Sequence, residues 1–155
     1  MFLAEYLSIL TAQVDKNSRT GLITSSEIKA DFRTEKIGLI RGLIEFIDES
    51  KLFLTEYVDL RYKLNKLTYA CHYQDKNGQL IFRYDNALHK PRLDFKDHKH
   101  FGDKVISCDI PELREILEAN TNYVPSAGLP DYIFQSNTLR MEENARFVLC
   151  IWSPL

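Results

Sequence analysis

The chain has 155 residues, a formal charge of −2 and 45% hydrophobic residues, including eight tyrosines and nine phenylalanines. A chain of this length suits one domain, which buries roughly two thirds of the surface its unfolded form exposes. The slightly acidic balance excludes a general basic coat for nucleic acid, because phosphate binding by counterion release needs clustered cations.

The three cysteines, Cys71, Cys108 and Cys150, include no CxxC pair and leave one over from any pairing. A disulfide framework is therefore not expected, and a reducing compartment fits. The N-terminal MFLAEYLSIL lacks a positively charged start and a small-residue cleavage site. No apolar run approaches the ~20 residues that span a bilayer. The expectation is a cytoplasmic protein with no membrane partner.

In chain order, Phe2, Leu3, Tyr6, Leu7, Leu10 and Val14 recur at helical spacing and form one apolar stripe. Residues 22–38 read as an extended, half-exposed segment. LIRGLIEFI and LFLTEYVDL, separated by the turn chemistry of DESK, form a hairpin over residues 38–59, with Ile40, Ile44 and Phe46 on one strand face. The clearest local signal is LTYACHYQDKNGQLIFRYD, where Asn77-Gly78 predicts a type I′ turn between two β-rich runs. That hairpin pairs Tyr73 with Phe82, Cys71 with Tyr84 and His72 with Arg83. One face is then aromatic, and the other carries His72, Arg83 and Asp85. DIPELREILEAN reads as a short amphipathic helix with Asp109 as N-cap and Ile110, Leu113, Ile116 and Leu117 as its buried stripe. RFVLCIW, near the end, suits one more sheet strand or a surface lent to a partner chain.

The fold class is thus α+β: an antiparallel sheet of about five strands in a meander, with an N-terminal and a C-terminal helix packed on it. Residues 1–120 form the domain, and residues 121–155 form an extension that packs on it or on a partner chain, which makes a homodimer one reading.

Three of the four histidines, His89, His98 and His100, fall in RYDNALHKPRLDFKDHKHFGDK, residues 83–104. Between His89 and His100 the run holds four cations, Lys90, Arg92, Lys96 and Lys99, against Asp94 and Asp97. Arg83 and Asp85 alternate on a strand, so both project from one face within reach of each other; the pair is either a surface ion pair of little energetic consequence or one that fixes the guanidinium and leaves part of its fork for a phosphate. If DHKH is extended, His98 and His100 point one way and Lys99 the other. Cations for phosphate and imidazoles that titrate near neutrality suit RNA cleavage without a metal or cofactor, with one group taking the 2′-hydroxyl proton and another protonating the leaving oxygen. An anion-binding cleft on the rim, built from Arg83, His89, His98, Lys99 and His100, is the first reading. A metal site using His98, His100 and either His89 or His72 ranks behind it, because nearby cations raise the cost of placing a divalent ion. For function, the second reading is a binding module without catalysis, whose basic rim and RFVLCIW segment dock a partner protein or a second copy of the chain, and the third is a small metal-dependent hydrolase.

LTEYVDL, CHYQDKNGQLIFRYDNALHKPRL, FKDHKHFGDKVISC and LREIL, in this order and spacing, resemble the TumE family of toxin-antitoxin proteins over residues 26–118. The likeness is most specific at Arg83, Asp85, Asn86, His89, His98, Lys99 and His100. It implies a cytoplasmic toxin, partnered with a DNA-binding antitoxin, and by looser analogy with RelE-like toxins an action on RNA. Arg83, His89, His98 and His100 become the catalytic candidates, and Asp85, Asn86, Lys90 and Lys99 the binding candidates. The chain departs from the family pattern in its longer tail, in Lys90 where a second histidine is common, and in Asp97 where a proline is common.

Overall fold

The structure, a computed structural model, describes residues 1–121. Helix α1 (Leu3–Ser18) leads into seven strands, β1 (Ile23–Phe32), β2 (Ile37–Phe46), β3 (Lys51–Asp59), β4 (Asn65–Gln74), β5 (Leu80–Asp85), β6 (His98–Phe101) and β7 (Lys104–Ser107), followed by α2 (Leu113–Thr121). Neighbours in sequence are neighbours in the sheet, and each pair is antiparallel, so the whole is a meander. No helix among the described residues is long and apolar enough to cross a membrane.

The α+β class and the meander hold, but the sheet has seven strands rather than about five. Residues 23–32, read as merely extended, pair along their whole length with β2. Their Ser, Thr, Glu and Lys content hides the strand, because an edge strand has little to bury. β6 and β7 are four residues each, too short to show a period, and lie within or just beyond the stretch read as a rim. The RFVLCIW run, and with it the partner-chain reading of the tail, lies outside the described residues.

Leu3, Tyr6, Leu10 and Val14 of α1 are buried, whereas Phe2 precedes the first turn and stays 45% exposed. The Glu5 carboxylate accepts the Phe2 N–H at 2.6 Å and closes the helix start. Leu113, Ile116 and Leu117 of α2 join the same hydrophobic cluster as α1 and the inward residues of β2 to β5. The helix begins at Leu113, so Asp109 is not its N-cap, and Ile110 is 41% exposed instead of buried. A side chain on Gly38 of β2 would collide with Leu3 and with the Asp31 carbonyl, so this glycine lets α1 lie close on the sheet.

The β4–β5 hairpin forms with the expected cross-strand partners, Tyr73↔Phe82, Cys71↔Tyr84 and His72↔Arg83. Its turn is different. Gly78 alone takes a positive φ, 81°, while Asn77 does not. The Asp75 carboxylate accepts the N–H groups of Asn77 and Gln79 at 2.9 and 2.8 Å, and the Gly78 N–H reaches the Asp75 carbonyl at 3.0 Å. This side-chain cap favours a bulged loop over type I′. A bulged loop alone would invert the faces, but a second irregularity between Tyr73 and Gln74 restores them.

Candidate functional site

Two cross-strand rows build the site. His72↔Arg83↔His100 and Ala70↔Asp85↔His98 are paired across β4, β5 and β6, so Arg83, Asp85, His98 and His100 stand on the sheet face opposite the helices. The connection between β5 and β6 then returns His89 to the same spot. The His89 ring lies 4.6 Å from that of His98, edge-on, and is stacked 5.1 Å from that of His100. Asp85, His89, His98 and His100 each offer one donor atom, and those atoms lie within 4.8 Å of one another.

Asp85 is the centre of this cluster, and it is 1% exposed. Its Oδ1 accepts the Ala87 N–H at 2.9 Å and lies 3.2 Å from His98 Nε2. Its Oδ2 lies 2.8 Å from Arg83 Nε and 3.5 Å from His100 Nε2. The arginine contact is an ion pair without a hydrogen bond, because the N–H direction misses the oxygen; both atoms are buried and lack a hydrogen-bond partner. Leaving such a group unsatisfied costs roughly 1–3 kcal/mol, so this carboxylate is not arranged for stability alone.

His98 is fully buried, and its Nδ1 lies 2.8 Å from the Lys96 carbonyl. A carbonyl only accepts, so Nδ1 carries a proton, and in the tautomer this selects for a neutral ring Nε2 faces the cluster with a lone pair. At 2.9 Å, His89 Nε2 then donates to it. The contact between His98 Nε2 and Asp85 Oδ1 still sets lone pair against lone pair, and an added proton or a cation relieves it. Burial, foremost, lowers the pKa of His100; Asp85 opposes the shift, and His98, His89 and Arg83 add to it.

The remaining candidates go elsewhere. Asn86 spends its amide on the β4 backbone, accepting the Tyr69 N–H at 3.1 Å and donating to the Leu67 carbonyl at 3.2 Å. Lys99 lies on the helix-side face, with Nζ 4.9 Å from the Tyr84 ring centre and 5.3 Å from that of Phe82. Lys90, Arg92 and Lys96 are exposed. The cation placed against the cluster is Arg83, its side chain 39% exposed. His72, the fourth histidine, meets Gln74 and the Phe53 ring and stands outside the cluster.

A cleft of about 380 Å³ runs along the β5–β6 connection, from Asn86 to Lys96, with His89 on its wall. The anchoring role of the Lys96 carbonyl left no trace in the sequence, since any residue supplies one. The central place of Asp85 was legible only as its alternation with Arg83.

No curated protein and no solved structure matches the chain. Residues 11–124 match the family model described as Toxin TumE. That match spans well over half of the chain, so this protein belongs to the TumE toxin family and is the toxin component of a toxin–antitoxin system.

Proposed function

We propose that the toxin acts in the cytoplasm by cleaving RNA at the Asp85–His89–His98–His100 cluster, without a metal. What carries the reading is the convergence of three imidazoles on one carboxylate beside a half-exposed arginine. Asp85 and His98, almost wholly buried, position the others. His89 and His100 retain some exposure and would meet the substrate.

His100, whose lowered pKa favours the neutral ring, takes the proton of a ribose 2′-hydroxyl. The 2′-oxygen forms a bond to phosphorus as the bond to the 5′-oxygen breaks. His89, as imidazolium, gives its proton to that leaving oxygen. Arg83 faces the nonbridging phosphate oxygens, whose charge grows in the transition state. The products are a 2′,3′-cyclic phosphate and a 5′-hydroxyl, and the antitoxin that the family implies would silence this reaction.

The test is cleavage of a defined RNA by the purified chain in the presence of a chelator, with analysis of the product ends. Cyclic phosphate ends, and a fall in rate of roughly 10²–10⁴ for His100→Ala or His89→Ala, are expected. Unchanged cleavage in both variants would remove the cluster from the mechanism.

A further inference from the structure

We infer that Asp85, His89, His98 and His100 form a site for one divalent transition-metal ion, for which zinc is the best suited. The inference rests on donor chemistry and geometry and stands apart from the RNA reading.

Zinc takes imidazole nitrogen and carboxylate oxygen at about 2.0–2.2 Å, which puts neighbouring ligands of a tetrahedral set about 3.3 Å apart. Three of the six ligand pairs bracket that edge, 2.9 Å between the Nε2 atoms of His89 and His98, 3.2 Å from His98 to Asp85 and 3.5 Å from His100 to Asp85, and all four donor atoms lie within 4.8 Å of one another, so the wider pairs close by rotation of the side chains. Three borderline nitrogens and one carboxylate suit zinc better than magnesium or calcium, which prefer oxygen.

Two further observations point the same way. Metal-bound histidines usually donate their other ring N–H to a carbonyl or carboxylate; His98 does so through Nδ1 to the Lys96 carbonyl at 2.8 Å, which leaves Nε2 to coordinate. Asp85 Oδ2 is buried, 2.8 Å from Arg83 Nε and 3.5 Å from His100 Nε2, and without a hydrogen-bond partner. A metal ion would answer that vacancy and the opposed lone pairs of Asp85 and His98 together. The electrostatic objection narrows to Arg83, whose Nε lies 2.8 Å from Asp85 Oδ2, because Lys99 lies across the sheet and Lys90, Arg92 and Lys96 are exposed.

An ion held there ties up the rings of His89 and His100, one of which must give a proton and the other accept one in the metal-free reaction, so zinc should inhibit the cleavage proposed above. The experiment strips the full chain with chelator, dialyses it against zinc and counts the metal, then repeats the titration with cobalt(II), whose visible absorption reports four-coordinate nitrogen and oxygen ligation. One ion per chain is expected. Removing even an outer partner of a metal ligand costs roughly 10- to 100-fold in affinity, so His89→Ala and His100→Ala, at the less buried ligands, should each lose at least that much. His72→Ala should bind as the parent does.

Absence of stoichiometric zinc, or binding that survives both ligand variants, would overturn the site and leave the RNA reading standing. Zinc that slows cleavage, reversed by chelator, supports both proposals. Zinc that is bound and accelerates cleavage supports the site and overturns the metal-free route.

Discussion

Glu56 of β3 and Asp85 of β5 are buried to almost the same depth, 2% and 1% exposed, on opposite faces of one sheet. Glu56, under α1, accepts the Tyr6 hydroxyl at 2.7 Å on one oxygen and meets Lys66 Nζ at 2.7 Å on the other. Lys66 also donates to the Pro111 carbonyl at 3.2 Å. Burial, and then the charge of Glu56, push the Tyr6 hydroxyl far above its ordinary pKa, so it remains a donor. Asp85 has one backbone hydrogen bond, from the Ala87 N–H to Oδ1, an arginine beside it that fails to donate, two imidazoles at 3.2 and 3.5 Å, and Oδ2 left without a hydrogen bond. Glu56 is matched on both oxygens, as a carboxylate that serves the fold should be; Asp85, with a hydrogen bond on one oxygen and none on the other, has the pattern expected of a carboxylate that meets a ligand or takes part in a reaction.

That contrast can be broken by substitution. Glu56→Ala leaves the Lys66 ammonium, 9% exposed, without its counter-charge, and should cost about 3–5 kcal/mol in denaturant unfolding; a loss under 1 kcal/mol would mean that Lys66 finds water or another partner. Gly38→Ala sets a methyl against Leu3 and the Asp31 carbonyl, and should cost about 1–3 kcal/mol by the same measurement. Asp85→Asn should shift stability by less than about 1 kcal/mol, because it removes an acceptor already in deficit, while zinc binding falls; destabilisation as large as that of Glu56→Ala would erase the distinction.

The smallest effect is one of pH. His100 has a folded-state pKa below its ordinary 6.5, with burial the largest cause. As pH falls below that value the unfolded chain takes up this proton first, so the stability His100 contributes is present above the ordinary pKa and is lost as pH falls through the folded one. Melting temperature should therefore decline gently on acidification below 6.5, and the decline should shrink in His100→Gln. Equal pH profiles for the two proteins would place His100 in an environment like water.

How much of this was legible depended on scale. Two-residue alternation put Arg83 with Asp85 and His98 with His100, and the hairpin face survived a misread turn because its two irregularities cancel. The same alternation assigned Lys99 to the other side, where it lies against Tyr84 and Phe82, although its charge had suggested the cleft. Return of His89 to the cluster was beyond local reading, since it depends on the path of a twelve-residue connection between Asp85 and His98. Asn86 is a candidate through the family likeness alone, and the β4 backbone uses both the donor and the acceptor of its amide. The Tyr6–Glu56–Lys66 network joins residues 50 positions apart at its longer link, a distance at which no sequence period operates.

If the chemistry is as proposed, the cluster, rather than the sheet that carries it, makes this protein toxic. Growth arrest on induction of His89→Ala/His100→Ala in cells lacking the antitoxin, compared with the parent at matched soluble protein levels, tests that directly. The prediction is normal growth with the folded variant present; arrest equal to that of the parent would contradict it.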